Sequence, residues 1–388
     1  MLMCNSIVVG SLVLTICVSL LMGALMSTPN VAASDLGIHK PEPWPLELYD
    51  DEGKIVPVKE NGRWTNFWRI GHPSPLRFFA SWIFGQDDSN IPGKDKLAET
   101  LPVKKPYWMS EDNNRDNFTA SRAKMTWLGH ATVLAEIDGV TILADPIFSQ
   151  RASLVQFAGP ARYTRPPCKV KELPPVSAVV ISHSHYDHLD IGSVSSLVKH
   201  QPDITWFVPM GMAEWLKDNT DVNHDNVREM SWWQEAQVPD TQVRIAMTPS
   251  NHWGKRGVND DNTMLWGSWT VIGPTTRFWF GGDTGYSEVF RQIGEKYGPF
   301  DMAAIPIGAY QPNWFMKYDH VHPGEAVEIH KDIRSNKSMG IHWGTFKLTT
   351  ENYLEPPSLL TTFLNQSELE NKAFVAIDLG DSIDLDQE

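Results

Sequence analysis

The chain has 388 residues, 41% of them hydrophobic and 21% charged, and a formal net charge of -14. This composition can build a large buried core, which excludes a globally disordered protein. The acidic balance argues against a nucleic-acid partner, because a nuclease groove needs a basic stripe, and against broad electrostatic adhesion to anionic membranes. The 16 Trp and 16 Phe residues suggest another route to lipid, since Trp suits the membrane interface.

The N-terminal segment is apolar. Residues 7–26 contain no charged side chain, and the first charged residue of the chain is Asp35. This pattern predicts that residues 1–33 form either a signal peptide, cleaved after Ala33, or a retained membrane anchor. We therefore expect an exported or membrane-associated protein.

Residues 34–120 are predicted to be an extended lead-in followed by an aromatic-rich segment. Trp64, Phe67, Trp68 and further aromatic residues up to Phe84 lie close together in the sequence. Two interpretations stay open for them: packing over the core, or a surface that faces lipid or forms a homodimer.

From Lys124 onward, strand and helix patterns alternate, and residues 121–388 are assigned to one large domain. Apolar runs predict three successive strands over 125–128, 133–136 and 140–144. Helices are predicted around 194–200, 213–218, 287–296 and 323–333. The last of these has Pro323 in its first position, where the missing N–H costs nothing. The acidic end, 378–388, is predicted to be a solvated tail.

Within the run Ser182 to Asp190, residues 183–188 contain four potential metal ligands: His183, His185, Asp187 and His188. Imidazoles this close together repel one another when protonated and need polar partners when buried, and a divalent cation removes both problems. Neutral imidazole and carboxylate are also good Zn²⁺ ligands. The preceding residues 176–181 predict a short buried strand, so the cluster follows a strand end, a frequent place for a site in an α/β sheet. The run therefore predicts a metal site.

Three further potential ligands follow strand-like segments later in the chain. His252 comes after residues 244–248, Asp283 after 277–280, and His342 after 339–341. Each is a weak signal alone, because a single His after a strand is more often a core or loop residue, and Gly-Gly-Asp can be only a turn. Their recurrence in one order after the cluster strengthens the prediction of metal binding.

That order resembles the metallo-β-lactamase superfamily, both in its HxHxDH motif and in the three later ligands. Longer strings narrow the resemblance to the N-acylphosphatidylethanolamine-hydrolysing phospholipase D family: residues 127–131, 144–148, 265–269, 305–310, 314–318 and 341–346. The similarity covers nearly everything from about Trp64 to the C-terminus. It implies an α/β fold, the metallo-β-lactamase αββα four-layer sandwich, and two Zn²⁺ ions per chain.

The resemblance also implies a role for each site residue. One zinc ion is expected to be bound by His183, His185 and His252. The other is expected to be bound by Asp187, His188 and His342, and Asp283 is expected to bridge the two. Asp187, Asp283 and His320 form the expected catalytic group. In it, a water between the ions becomes a hydroxide nucleophile, and His320 either serves the leaving group or only hydrogen-bonds a ligand. Asp145 is expected to hydrogen-bond a metal-bound histidine. The expected groove residues are Tyr186, Trp253, Tyr310 and His320, with packing as the alternative for the three aromatic rings.

If the resemblance extends to substrate, the enzyme hydrolyses N-acylphosphatidylethanolamine at a membrane surface to N-acylethanolamine and phosphatidic acid. One alternative is a lactonase or other small-ester hydrolase of the same fold, and another is a lipid-binding protein without turnover. Two residues depart from the family pattern: Asp319 replaces an expected uncharged amide, and His322 replaces an expected acidic residue. An anionic Asp319 facing a phosphate would repel it, so head-group specificity depends on where these side chains lie.

Overall fold

Sixteen strands and seven α-helices form the described part of the chain, residues 49–66, 89–109 and 123–386 of a computed structural model. The strands are β1 Val58–Glu60, β2 Arg63–Thr65, β3 Ala123–Gly129, β4 Thr132–Ile137, β5 Val140–Ala144, β6 Ala178–Val180, β7 Thr205–Pro209, β8 Val227–Met230, β9 Glu235–Gln237, β10 Arg244–Thr248, β11 Ser268–Ile272, β12 Arg277–Phe280, β13 Phe300–Pro306, β14 Ser335–Ile341, β15 Phe374–Val375 and β16 Ser382–Asp384. The helices are α1 Lys94–Thr100, α2 Ile191–His200, α3 Met212–Asn219, α4 Val289–Tyr297, α5 Asn313–Met316, α6 Pro323–Asp332 and α7 Glu355–Asn365.

The predictions for residues 1–33 and for the aromatic residues from Phe67 to Phe84 lie outside the described ranges. Within those ranges, none of the helices is long and apolar enough to cross a membrane.

Strands β3 to β16 form two seven-stranded sheets with the same internal plan. The first sheet has the order β16-β3-β4-β5-β6-β7-β8, and the second has the order β15-β14-β13-β12-β11-β10-β9. In each sheet, four strands pair antiparallel and three more continue parallel. The change occurs at β5 in the first sheet and at β12 in the second. The two halves are therefore related by a pseudo-symmetry that the sequence does not display as a repeat.

Helices cover the outer face of each sheet. Leu134 of β4 belongs to one buried core cluster with Val194 of α2 and Met212 of α3. On the second sheet, α6 packs on β13 and β14, and α7 packs on α6. The sheets meet each other, as the indole Nε1–H of Trp269 donates to the carbonyl of Ile181 at 2.9 Å. The order of helices, sheet, sheet and helices confirms the predicted α/β sandwich.

The predicted strands and helices are confirmed, with small shifts at their ends. Strands β5, β10 and β12 have the predicted bounds. Helix α2 begins earlier than predicted, at Ile191, because the Asp190 carboxylate caps it by accepting from the amides of Gly192 and Ser193. This cap fixes the start of a helix that follows directly on the predicted ligands.

The predicted solvated tail over 378–388 is wrong. Residues Ser382–Asp384 form β16 and pair antiparallel with β3 at the edge of the first sheet. Nζ of Lys124 lies 3.2 Å from a carboxylate oxygen of Asp384. The edge of β3 offers unpaired backbone groups to the acidic segment, and Lys124 offers it a positive charge. Neither partner can be predicted from the charge of the segment itself.

Candidate metal centre

The predicted ligands converge at the carboxyl ends of strands from both sheets. In the first sheet, Asp145 follows β5, and the ligand loop (residues 183–189) follows β6. In the second, His252 follows β10, Asp283 follows β12 and His342 follows β14. Because β5 and β12 are the strands where the pairing direction changes, Asp145 and Asp283 have corresponding places in the two halves. Sites of α/β sheets commonly lie outside the carboxyl ends of the strands.

Asp145 organises the first-sheet side of the centre. Its Oδ1 accepts from the amide of Ser182 at 2.7 Å, and its Oδ2 lies 2.6 Å from Nδ1 of His188. The Ser182 hydroxyl in turn contacts Nδ1 of His183 at 2.9 Å. A carboxylate beside Nδ1 keeps the proton on that atom and leaves the other ring nitrogen free to bind a metal. The contact with His188 agrees with the position expected for Asp145.

The predicted ligands form two groups, and within each group the ligand atoms lie within 4.8 Å of one another. The imidazole group consists of His183, His185 and His252. The mixed group consists of Asp187, His188, His342 and His130. Apart from His130, these are the two ligand sets that the resemblance implies.

Asp283 lies between the two groups and is 2% exposed. Toward the mixed group, its Oδ2 is 3.1 Å from Nε2 of His188, and its Oδ1 is 3.0 Å from Nε2 of His342. Toward the imidazole group, its Oδ2 is 3.9 Å from Nε2 of His183 and 3.8 Å from Nε2 of His252. One carboxylate is therefore near both groups.

His130 is a member of the mixed group that the sequence analysis did not single out. It occupies the tight turn between β3 and β4 with a φ of +52°, in the left-handed region. Its Nε2 lies 2.9 Å from Oδ2 of Asp187, and its ring centroid lies 4.1 Å from that of His342. Burial lowers the pKa of His130 to about 3, so the neutral ring can donate Nε2–H to the carboxylate. The sequence offered one signal for His130: it lies within residues 127–131, one of the strings that resemble the phospholipase D family.

Burial determines the protonation of the imidazole group. It lowers the pKa of His183 and of His252 well below the ordinary value, and it lowers the pKa of His185 to about 4. These rings are therefore neutral at neutral pH, which is the form that binds a metal.

The mixed group has the opposite electrostatics. Burial acts to raise the pKa of Asp187 and of Asp283, but neighbouring histidines, His188 first among them, outweigh it and hold both pKa values well below the ordinary range. Burial likewise acts to lower the pKa of His188, but Asp283, Asp187 and Asp145 outweigh it and raise the pKa well above its usual value. Burial also acts to lower the pKa of His342, but Asp283 and Asp187 outweigh it and raise the pKa to about 9. Without a metal, protons on these two rings balance the ionised carboxylates, and a bound cation would replace those protons.

The donor set fits a divalent metal. His252 donates Nδ1–H to the carbonyl of Asp319 at 3.0 Å, so its Nε2 carries a lone pair. That nitrogen faces Oδ2 of Asp283 at 3.8 Å and Nδ1 of His185 at 3.2 Å. A proton on Nδ1 of His185 can pair with only one of its neighbours, while Oδ2 of Asp283 offers only lone pairs. Imidazole nitrogen with carboxylate oxygen is a set that Zn²⁺ binds.

His320 and Asp319 lie in the link between α5 and α6. Nδ1 of His320 is 3.8 Å from Oδ2 of Asp283, and burial lowers the pKa of His320 to about 4. Asp319 is 6% exposed, and burial, with a smaller effect from Asp283, raises its pKa to about 7. A carboxyl of this kind is partly protonated at neutral pH, which weakens the repulsion of phosphate expected from its charge.

His322, the second departure from the family pattern, caps α6. Its Nδ1 accepts from the amide of Gly324 at 3.2 Å, while the Glu325 carboxylate accepts from the amide of His322 at 2.9 Å. The ring also packs against Tyr310 and Phe363, with centroid distances of 4.9 and 5.2 Å. An acidic side chain could accept the same hydrogen bond. The departure from the family pattern at His322 therefore changes which residue caps α6.

The three predicted groove aromatics lie in different settings. The Trp253 ring is partly buried, with its centroid 4.4 Å from that of His185. Tyr186 is also partly buried, and its hydroxyl donates to a backbone carbonyl at 2.5 Å. Tyr310 is fully buried, and its hydroxyl donates to a carboxylate of α7 at 2.6 Å. Its placement favours the packing alternative for Tyr310.

Comparison with known sequences agrees with this geometry. The family described as "Beta-lactamase superfamily domain" matches residues 140–343, which contain every predicted metal ligand. N-acyl-phosphatidylethanolamine-hydrolyzing phospholipase D 1 of Caenorhabditis elegans is 43% identical over 349 residues, which are 86% of this chain and 96% of that protein. The mitochondrial N-acyl-phosphatidylethanolamine-hydrolyzing phospholipase D of Saccharomyces cerevisiae is 31% identical over 343 residues, which are 79% of this chain and 72% of that protein.

Solved structures share the fold. Igni18, a metallo hydrolase from Ignicoccus hospitalis KIN4/I, superposes with a TM-score of 0.51 at 19% identity, covering 69% of this chain and 99% of that one. An isothiocyanate hydrolase from Delia radicum gut bacteria has a TM-score of 0.51 at 18% identity, covering 67% of this chain and 98% of that one. At such identities the likeness establishes the sandwich of two mixed sheets and leaves the substrate open.

Proposed function

Because the chain belongs to the N-acylphosphatidylethanolamine-hydrolysing phospholipase D family of the metallo-β-lactamase superfamily, we propose that it is a zinc-dependent phosphodiesterase acting on that lipid. The substrate is presented at a membrane surface, and the products are N-acylethanolamine and phosphatidic acid. Water supplies the oxygen that joins phosphorus, the bond from phosphorus to the ethanolamine oxygen breaks, and that oxygen leaves with a proton.

One observation carries the proposal: the Asp283 carboxylate is near both ligand groups, with oxygen–nitrogen distances from 3.0 to 3.9 Å. A centre of two metals that share a carboxylate needs this arrangement. We assign one Zn²⁺ to the imidazole group and the other to Asp187, His188 and His342 of the mixed group. When bound, the two ions lower the pKa of a water molecule to provide a nucleophile at neutral pH and offset the charge of the phosphodiester.

The residues around the ligands hold them in place. Asp145 and the Ser182 hydroxyl contact the Nδ1 atoms of His188 and His183, which fixes the direction of both rings. His130 holds the Asp187 carboxylate through the 2.9 Å contact of its Nε2. Preorganised ligands of this kind do not need to rearrange as charge builds up on the phosphoryl oxygens.

We assign His320 to the leaving group, because its buried Nδ1 faces the centre, 3.8 Å from Oδ2 of Asp283. Since burial lowers its pKa to about 4, its ring is neutral at neutral pH and does not hold a second proton to give away. Its N–H can still donate to the ethanolamine oxygen as that oxygen gains negative charge. If His320 serves the leaving group, it therefore does so by orienting it and not by giving up a proton; a hydrogen bond to a ligand is the alternative role.

Export or membrane association through residues 1–33 stays a prediction, as does a homodimer formed through the aromatic segment. The apolar N-terminal residues and most of the aromatic ones lie outside the described ranges.

The test is release of N-acylethanolamine from mixed micelles of N-acylphosphatidylethanolamine by the purified, zinc-loaded protein. We expect release that stops on chelation and returns with added zinc. A soluble lactone serves as the comparison substrate. Preferential turnover of the lactone would replace the lipid assignment by the small-ester alternative. Two bound zinc ions with no turnover of the lipid would support the proposed metal centre and contradict the proposed substrate.

A further inference from the structure

Arg256 lies in the connection between β10 and β11, four residues after the predicted ligand His252. Its side chain is 9% exposed and crosses to the ligand loop. The guanidinium carbon sits over two aromatic rings, 4.3 Å from the centroid of Tyr186 and 4.3 Å from that of Trp215 on α3. The cation is thus enclosed by one ring of the ligand loop and one ring of a neighbouring helix.

The hydrogen bonds of Arg256 are directed at the backbone of the ligand loop. Its Nη1 donates to the carbonyl of Ser184 at 3.0 Å and to the carbonyl of Leu189 at 2.7 Å. In return, the Tyr186 hydroxyl donates to the carbonyl of Arg256 at 2.5 Å. The two accepting carbonyls enclose the segment that carries His185, Asp187 and His188, so one side chain fixes both ends of that segment.

No carboxylate forms an ion pair with Arg256 among the described residues, which is unusual for a cation so deeply buried. Backbone carbonyls and aromatic faces compensate its desolvation, together with the charges of Asp190, Asp260 and Asp187 at longer range. The turn that carries Arg256 is itself anchored, as the Asp260 carboxylate accepts from the amides of Arg256 at 3.2 Å and Gly257 at 2.7 Å. The contacts therefore hold a charged group at the ligand loop, where its bonds fix backbone geometry.

We propose that Arg256 is a positioning residue that fixes the ligand loop against the loop carrying His252, so that ligands from both sheets keep the spacing a metal requires. The inference rests on the metal centre of the proposed function and is independent of the lipid substrate. Both carbonyls are bound by the one nitrogen Nη1, so the property that lysine lacks is the planar guanidinium that stacks between the two rings.

The experiment compares zinc affinity and loop protection in the wild type, Arg256→Lys and a matched control, Arg277→Lys. Nη1 of Arg277 also donates to two backbone carbonyls, those of Tyr297 at 2.6 Å and Gly298 at 3.2 Å, but it lies at the start of β12, away from the ligands. Zinc affinity is measured by competition with a chromophoric chelator. Amide hydrogen exchange of residues 183–189 is measured on the metal-free protein, after circular dichroism confirms the fold.

We expect Arg256→Lys to weaken zinc binding by about 10- to 100-fold, the usual effect of losing a residue that supports metal ligands. It should also speed amide exchange across 183–189, while Arg277→Lys leaves both quantities as in the wild type. Wild-type affinity and exchange in a folded Arg256→Lys protein would overturn the inference, as would equal losses in both variants. If Arg256→Lys does not fold, Trp215→Leu, which removes one face of the stack, should shift both readouts in the same direction by less.

A wild-type protein that binds zinc but spares the lipid would overturn only the substrate of the proposed function. A wild-type protein that binds no zinc would overturn the proposed metal centre. In that case, faster amide exchange of residues 183–189 in Arg256→Lys but not in Arg277→Lys would still support the proposal that Arg256 fixes the backbone of the ligand loop. Unchanged exchange would overturn that proposal.

Discussion

The two sheets contribute to the metal centre in different ways. The first sheet supplies four of the proposed ligands from one short stretch, residues 183–188, directly after β6. The second supplies His252, Asp283 and His342 from three separate loops after β10, β12 and β14. The first-sheet ligands share one loop, which is held by Asp145 at the end of the neighbouring strand β5 and by Arg256. Each second-sheet ligand is instead held in its own loop by contacts with other loops.

Three contacts illustrate this dependence. His252 is held by the carbonyl of Asp319, 67 residues later in the chain. Residues Asn251 and Gly285 form an antiparallel bridge between the loops after β10 and β12, and the amide of His342 donates to the carbonyl of His130 at 3.0 Å. Substitutions at Asp145 and His130 in the first-sheet half should therefore weaken zinc binding directly. Substitutions at the start of α6, which carries no predicted ligand, should instead change the stability of the scaffold.

Apart from the ligands themselves, the largest effect is expected from Asp145→Asn, which removes the negative charge beside Nδ1 of His188 and keeps the size of the side chain. Zinc affinity of the mixed group should fall by about 10- to 100-fold, with a smaller effect on the imidazole group. A zinc titration that resolves the two sites checks this. The matched control is Asp138→Asn at the other end of β5, where the carboxylate accepts from the amides of Thr275 and Thr276. Equal weakening by both variants would contradict the role given to Asp145.

A smaller effect is expected at His130, whose Nε2 lies 2.9 Å from the Asp187 carboxylate. His130→Ala should weaken zinc binding in the mixed group by about tenfold, the approximate effect of one hydrogen bond to a charged group. His130→Gln retains an N–H donor and should recover part of the loss. The same two-site titration measures both variants. Glutamine performing no better than alanine would show that the hydrogen bond is not what matters.

In the second-sheet half, the cap of α6 offers a stability test. His322→Ala removes the acceptor for the Gly324 amide and should lower the free energy of unfolding by about 1 kcal/mol. His322→Asp should restore the stability, since Asp is a preferred cap and is favoured by the dipole at a helix N-terminus. Urea unfolding of the zinc-loaded proteins provides the comparison. If His322→Asp were as unstable as His322→Ala, capping of α6 would not be the role of His322.

The smallest effect is expected from Glu325→Gln and concerns pH. Burial raises the pKa of Glu325 to about 7, above the ordinary value near 4.5. Its stabilising contribution is therefore complete below about pH 4.5 and is lost as the pH rises through about 7. Glutamine can still accept from the His322 amide but does not ionise, so the loss of stability between pH 6 and pH 8 should be smaller in this variant.

Urea unfolding at the two pH values measures the difference. Glu328→Gln on the same helix, where the carboxylate pairs with Lys331, is the control. If Glu325→Gln and the wild type lost the same stability between the two pH values, the effect of burial on Glu325 would be disproved.

Sequence alone predicted the first-sheet half of the centre more directly than the second. Four ligands within six residues, straight after an apolar run, form a local signal that needs no knowledge of the fold. His252, Asp283 and His342 were weak signals individually, because their proximity depends on strand pairings that no short window contains. Their order became informative through the family resemblance.

The residues that sequence reasoning missed act through three-dimensional contacts. His130 reaches Asp187 from a turn on a different strand pair, and Arg256 reaches the backbone of a loop about 70 residues earlier. The acidic end was misjudged for the same reason, since its charges are compensated by Lys124 and by the open edge of β3. Local patterns predicted the elements that form by themselves. They did not predict the contacts that depend on how those elements assemble.

The central claim is that Asp283 serves two metal ions at once. The most direct measurement is the zinc content of the wild type and of Asp283→Asn, determined on the same zinc-saturated samples that are assayed for release of N-acylethanolamine. We predict two zinc ions per chain in the wild type, and fewer in the variant together with the loss of turnover. A variant that keeps two zinc ions and wild-type turnover would contradict the account.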